Sequence, residues 1–177
     1  MHMNKTVAII SIDETGCDEA LRHVLEPFGY LVVMYWVGRP RHFIELLQGK
    51  MITKFDFIII DSHGDDGKII MPELGEDIYF SDEPRGNFGV DEINKYLTWK
   101  DTCVIINGCS TGTEDMAKAF VKNNNIFLAP DDYIEGDSDL IFVVLFFYYL
   151  TRGFDIETAH KKASSLDDET GMYILRK

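Results

Sequence analysis

The chain has 177 residues, of which 46% are apolar and 27% charged, proportions that suit one globular domain able to bury a core. Acidic residues outnumber basic ones 30 to 17, for a formal net charge of −13. That balance argues against nucleic acid as a partner, because phosphate binding needs a basic face; it serves solubility and, secondarily, attraction of basic substrates.

In chain order, Val7–Ile12 predicts a short buried strand, left through a turn at Asp13-Glu14-Thr15-Gly16. Asp18–Leu25 follows with Ala20, Leu21, Val24 and Leu25 at helical spacing, and Pro27 and Gly29 end it. Tyr30–Val37 is a second strand, Arg39-Pro40 a break and Phe43–Leu47 part of a second helix. Phe55–Ile60 is a third strand. Strands alternating with helical segments predict a parallel sheet covered on both faces. From Gly64 to Gly89 the rhythm breaks: Lys68–Met71 and Asp77–Phe80 are strand-like pieces, expected to form a rim hairpin followed by a mobile loop near Asp82–Phe88. Asp91–Leu97 and Glu114–Lys122 are helical, Thr102–Ile106 and Ile126–Ala129 strands, and Asp131–Asp139 an acidic loop. Leu140–Leu150 is apolar throughout, but its 11 residues fall short of the roughly 20 that span a bilayer, so it belongs inside the domain. Asp155–Ser165 is helical and Met172–Leu175 an edge strand.

Two stretches carry chemistry. Phe55–Ile60 runs on through Asp61 and Ser62 to His63-Gly64, and Val104–Asn107 ends in Gly108-Cys109-Ser110-Thr111-Gly112. A cysteine at the carboxyl end of a buried strand, just before a helix, sits where open α/β sheets place their chemistry. His63 precedes Cys109 by 46 residues, near the His-to-Cys interval of roughly 50 of caspase-type sites. A thiol attacks as thiolate and needs a nearby base or dipole, which His63 and the helix after Thr113 would supply. Cys103, among apolar neighbours, and Cys17 read as packing residues. Asp61 reads as solvation of a strand end that could also orient His63, and Asp65 and Asp66 as turn residues. His23, His42 and His160 have no ligand spacing, so neither metal nor cofactor is expected.

At these residues the sequence resembles the caspase-like (clan CD) cysteine peptidases, and among them the bacterial CHAT-type proteins. The resemblance rests on Ile58-Ile59-Ile60-Asp61-Ser62-His63-Gly64 and Val104-Ile105-Ile106-Asn107-Gly108-Cys109-Ser110-Thr111-Gly112, and covers roughly residues 55 to 176. It implies a three-layer α-β-α sandwich with a mostly parallel sheet of about six strands, one domain over 1–177, and a helix at Leu140–Leu150. It also implies a cysteine endopeptidase in which Cys109 attacks a peptide carbonyl and His63 protonates the leaving amine, with the N–H groups of Gly64 and Cys109 as the oxyanion hole. Asp13, Asp131, Asp132, Glu135 and Asp137 lie along the same rim, and carboxylates there predict a basic residue, Arg or Lys, before the cut.

Other readings make different predictions. An idle dyad would make this a non-catalytic interaction module. Asp13-Glu14, Asp61 and Ser110/Thr111 mimic the phosphoacceptor cluster of receiver domains, but the lysine expected after the fifth strand is replaced by Ala129-Pro130-Asp131. The expected partner is a peptide or protein substrate, without nucleic acid or membrane. A homodimer through the Met172–Leu175 edge strand is a further expectation. The terminus MHMNKTVAII lacks a signal pattern and three cysteines cannot all pair, so a reducing, cytoplasmic location is expected.

Overall fold

The computed structural model describes residues 5–13, 15–51 and 54–177. Its elements run β1 (Thr6–Ile12), α1 (Cys17–Leu25), β2 (Leu31–Val37), α2 (Pro40–Leu47), β3 (Phe57–Asp61), β4 (Gly64–Asp65), β5 (Lys68–Ile69), α3 (Val90–Tyr96), β6 (Cys103–Asn107), α4 (Glu114–Val121), β7 (Ile126–Pro130), α5 (Gly136–Thr151), α6 (Ile156–Ala163) and β8 (Tyr173–Arg176). Six strands form one sheet in the order β2-β1-β3-β6-β7-β8. All neighbours are parallel except β7 with β8, which is antiparallel and sits at the edge.

Strand alternation divides the interior into two cores. Val7, Ile9, Phe57, Ile59, Cys103, Ile105 and Leu128 face one side, against Leu21 of α1, Phe142, Val143, Phe146 and Phe147 of α5 and Ala159 of α6. Ala8, Ile10, Ile58, Ile60, Val104, Ile106 and Phe127 face the other, against Phe43 of α2, Ile93 of α3 and Phe120 of α4. The continuous apolar runs in β1, β3 and β6 are what burial on both faces demands. The result is the three-layer α/β arrangement, with a mostly parallel sheet of six strands, that the sequence predicts.

Some local expectations shift. Pro40 opens α2 rather than breaking the chain before it, since proline's missing N–H costs nothing at a first helical position. The rim hairpin is tighter than expected: β4 and β5 pair Gly64 with Ile69 and Asp65 with Lys68. Asp66 and Gly67, both at positive φ, make the turn. Asp77–Phe80 is a turn, not a strand. The following loop, expected to be mobile, is tied down. The Glu83 carboxylate accepts from Arg39 Nε at 3.0 Å and Nη2 at 2.6 Å, Arg41 N at 2.8 Å and Phe80 N at 3.1 Å, and the Arg39 guanidinium lies 3.8 Å from the Phe80 ring centroid.

The Arg39 hydrogen bond is the chief cause holding the Glu83 carboxyl down at about 2. A depressed carboxyl contributes stability above its ordinary pKa and loses it as pH falls toward the depressed value. Glu83→Ala removes the acceptor shared by Arg39, Arg41 N and Phe80 N and leaves Arg39 only its bond to Ile78 O, so the midpoint of denaturant unfolding should fall. The same variant should open the 72–88 loop to limited proteolysis.

Candidate active site

Both motif residues stand on the carboxyl rim of the sheet because β3 and β6 are adjacent and in register. Asp61 pairs with Asn107, and Ser62 N donates to Asn107 O at 3.1 Å just beyond the last pair. The chains then stay together. A Cβ on Gly64 would collide with Cys109 O and lie 2.7 Å from Thr111 Cγ2 and 2.8 Å from the Gly108 carbonyl carbon. A Cβ on Gly108 would lie 3.2 Å from Ser62 O and 3.4 Å from Gly64 N. Glycine is required at position 64 because backbone meets backbone there. His63 is therefore carried on a segment pressed directly against the segment carrying Cys109.

His63 is exposed and Cys109 half-buried. The Cys109 thiol donates to Ile134 O at 3.4 Å, and no hydrogen bond joins it to the His63 ring among the described residues. Ser110 takes a positive φ of 52°, which turns the chain so that its N–H donates to Asp132 O at 2.9 Å. Gly112 then passes under β7, donating to Pro130 O at 2.7 Å. Thr113 caps α4, its hydroxyl accepting from Met116 N at 3.2 Å. The segment after β7 thus lies over Cys109. Tyr133 in that segment extends its hydroxyl to the Asp65 carboxylate on the β4–β5 hairpin; Asp65 is a tether here as well as a turn residue.

The acidic residues singled out from sequence separate into two groups. Asp131, Asp132, Glu135 and Asp137 are exposed on the segment after β7 and the first turn of α5. Asp13 lines a cleft of 640 Å³ beside the loop after β5, with Met71, Glu73, Tyr79 and Arg85. Glu14 lies outside the described residues.

A third acidic group was not legible as a unit. Asp18, Asp61 and Asp139 are 5%, 1% and 7% exposed, on the α1/α5 side of the sheet. Asp61 is therefore not strand-end solvation and does not orient His63: its carboxylate accepts from the Thr15 hydroxyl. Strand alternation carries Asp61 inward with Phe57 and Ile59 and leaves no water for it. Asp139 accepts from the Tyr173 hydroxyl, which also lies 3.0 Å from Asn107 Oδ1. Burial pushes the Asp61 carboxyl up to about 6, against the Thr15 bond, and the Asp139 carboxyl up to about 7, against the Tyr173 bond.

Cys17 adjoins this group and donates to Gly136 O at 3.7 Å. Burial first, and then the charges of Asp61, Asp139 and Asp18, push its thiol up to about 11. Cys103 is a core residue as expected, its thiol driven far up by burial. All three cysteines are free. Around the same rim Ser62 Oγ, Asn107 Nδ2 and Ser110 Oγ are buried without hydrogen-bond partners among the described residues. No cluster of metal-ligating side chains occurs among the described residues. No helix among them is long and apolar enough to cross a membrane.

The architecture defined by this sheet and its rim is the caspase-like α/β fold. It is similar to the solved complex of the Porphyromonas gingivalis RgpB pro- and mature domains, with a TM-score of 0.56, 12% identity and coverage of 95% of this chain and 45% of that one. It is also similar to the structure of gingipain R (RgpB), an Arg-specific cysteine proteinase, with a TM-score of 0.58, 10% identity and coverage of 95% and 44%. This chain thus spans less than half the length of the solved chains it matches. At such identities the likeness is one of fold. No family model and no curated protein matches the sequence.

Two measurements test this geometry. Gly64→Ala forces the β4 segment away from Cys109 and should cost about 1–3 kcal/mol of stability; wild-type stability would mean that the two backbones do not touch. For Asp61 and Asp139 the folded carboxyls titrate above their ordinary range, so the folded state binds the extra protons and stability falls as pH rises through about 6 and 7. Melting temperature should therefore drop between pH 5 and pH 8. Asp139→Asn, which needs no proton to stay neutral, should flatten that decline.

Proposed function

We propose that this chain is a cysteine endopeptidase of the caspase-like class, with Cys109 as nucleophile and His63 as acid and base. The observation that carries the reading is the backbone contact of Gly64 with Gly108-Cys109, which sets the His63 and Cys109 segments side by side on the carboxyl rim. In this reading Cys109 Sγ attacks the peptide carbonyl and forms the acyl-enzyme, while His63 delivers the proton to the departing amine; water then enters, gives its proton to His63 and releases the acid. The Cys109 N–H, which donates to no acceptor among the described residues, and that of Gly64 hold the oxyanion. The Cys109 thiol gives up its hydrogen bond to Ile134 O when it becomes the thiolate. The CHAT-type subdivision rests on the two motifs alone, and we place the protein in a reducing, intracellular setting in keeping with its free thiols.

Specificity for Arg or Lys before the cut belongs to the same proposal. Exposed Asp132, Glu135, Asp131, Asp137 and Asp13 would draw a basic substrate to the rim, although solvent screens each of them. The Arg specificity stated for gingipain R is in keeping with this.

The receiver alternative is weakened, since Asp61 is 1% exposed and an acceptor carboxylate must be reachable. The interaction-module reading differs from ours in what the thiol does. Limiting iodoacetamide at pH near 6.5 should label Cys109 before Cys17 and Cys103, and His63→Ala should slow that labelling. Cys109→Ala and His63→Ala should each abolish cleavage of a peptide library while leaving the far-ultraviolet dichroism unchanged. The double variant Asp132→Asn/Glu135→Gln should reduce kcat/KM for Arg-containing peptides several-fold, and added salt should shrink the difference. Slow, His63-independent labelling of all three cysteines would leave the interaction module. Preference for aspartate before the cut would overturn the specificity alone.

A further inference from the structure

Helix α5 is apolar on all sides, which its place in the fold does not require. Phe142, Val143, Phe146 and Phe147 are fully buried toward the sheet. On the outer face Ile141 is 42% and Tyr148 38% exposed, with Val144 and Leu145 half-buried between them. From Leu140 to Thr151 the helix carries no charged residue, whereas a helix that meets only water has polar residues on that face. Charge returns at the two ends of the face, as exposed Asp137 and exposed Arg152.

We infer that this face pairs with the same face of a second copy of the chain, the two α5 helices running antiparallel about a two-fold axis that passes between Val144 and Leu145. The positions are symmetric about that point. Ile141 meets the partner's Tyr148, Val144 meets the partner's Leu145, and Asp137 meets the partner's Arg152. At about 100° per residue these six positions fall within an arc of about 100°, so one helix face presents them all. A two-fold contact must be self-complementary, and a sequence that is apolar at its centre and oppositely charged at its ends meets that condition.

The charged ends have no competing ion pair among the described residues. The Asp137 carboxylate accepts from the adjacent Ser138 N–H at 2.8 Å. The Arg152 guanidinium lies 4.8 Å from the centroid of its own Tyr148 ring, beside the place the partner's helix would occupy. Phe28, in tilted contact with Tyr148 at 6.4 Å between centroids, widens the apolar area. One helix face is small for a specific interface, so association on the order of 1–100 μM is expected.

Sedimentation velocity over a concentration series tests the pairing, with circular dichroism confirming that each variant folds. The wild type should pass from monomer to dimer with rising concentration, and Leu145→Glu should weaken the dimer at least about tenfold. Asp137→Arg and Arg152→Asp should each weaken it several-fold, whereas the double variant Asp137→Arg/Arg152→Asp should recover most of the affinity, because the swap restores both symmetric pairs. A double variant as weak as the singles would overturn the antiparallel register. A strict monomer, or a dimer lost in the β8 edge variant Ile174→Lys but unmoved by Leu145→Glu, would overturn the interface itself.

Discussion

The parallel pairing of β3 with β6 is the constraint on which the rest of the site depends. It is built from Phe57–Asp61 and Cys103–Asn107 in uninterrupted register, buried on both faces. The two segments do not part where the ladder stops. Ser62 adds one more hydrogen bond to Asn107, and Gly64 then lies so close to Cys109 that a methyl group would not fit between them. A histidine and a cysteine far apart in the chain are held together by main-chain contacts, which deform much less than side-chain packing does. The β4–β5 hairpin, the Tyr133 tether and the turn at Ser110 all follow from that first contact.

The same rim carries an electrostatic cost. Three carboxylates are withdrawn from water beneath it, and among the described residues no ion pair reaches Asp18, Asp61 or Asp139. The molecule offsets part of the cost with hydroxyls: Thr15 donates to Asp61, and Tyr173 to Asp139. Tyr173 is itself held by stacking on Phe142, with centroids 3.6 Å apart. A core aromatic of α5 thereby positions the hydroxyl that serves an α5 carboxylate. The remaining cost appears as the raised Asp61 and Asp139 carboxyls and as the Cys17 thiol pushed up to about 11.

Helix α5 links these features. Its first turn carries Asp139 into the buried acidic group, its inner face supplies the aromatic floor of the second core, and the segment that leads into it covers the Cys109 thiol. A contact on its outer face would bear on the same helix that positions Asp139. The proposed pairing between copies and the proposed chemistry are thus physically adjacent, although each stands on different observations.

Hydrophobic patterning determined much of this molecule directly. Runs such as Ile58-Ile59-Ile60 and Val104-Ile105-Ile106 announce strands buried on both faces, and their alternation with helices implies a parallel sheet. His63-Gly64 and Gly108-Cys109 at the ends of two such runs mark the rim where chemistry belongs. Leu140–Leu150 is ambiguous in sequence, because a helix buried on one side and apolar on the other has no period to read; only the resemblance makes it helical. The sequence also placed a strand at Asp77–Phe80 and mobility at Asp82–Phe88, since nothing local shows that Glu83 will meet Arg39 across 44 residues.

What only the tertiary structure decided is the direction in which acidic side chains point. Asp131, Asp132, Glu135 and Asp137 look clustered because they are close in sequence, yet they spread over an exposed segment. Asp18, Asp61 and Asp139 are far apart in sequence and meet because α1, β3 and α5 share one side of the sheet. Periodicity is a local property that a chain states in its own residues. The convergence of charges from separate elements is set by strand order and helix packing, which no short window of sequence contains.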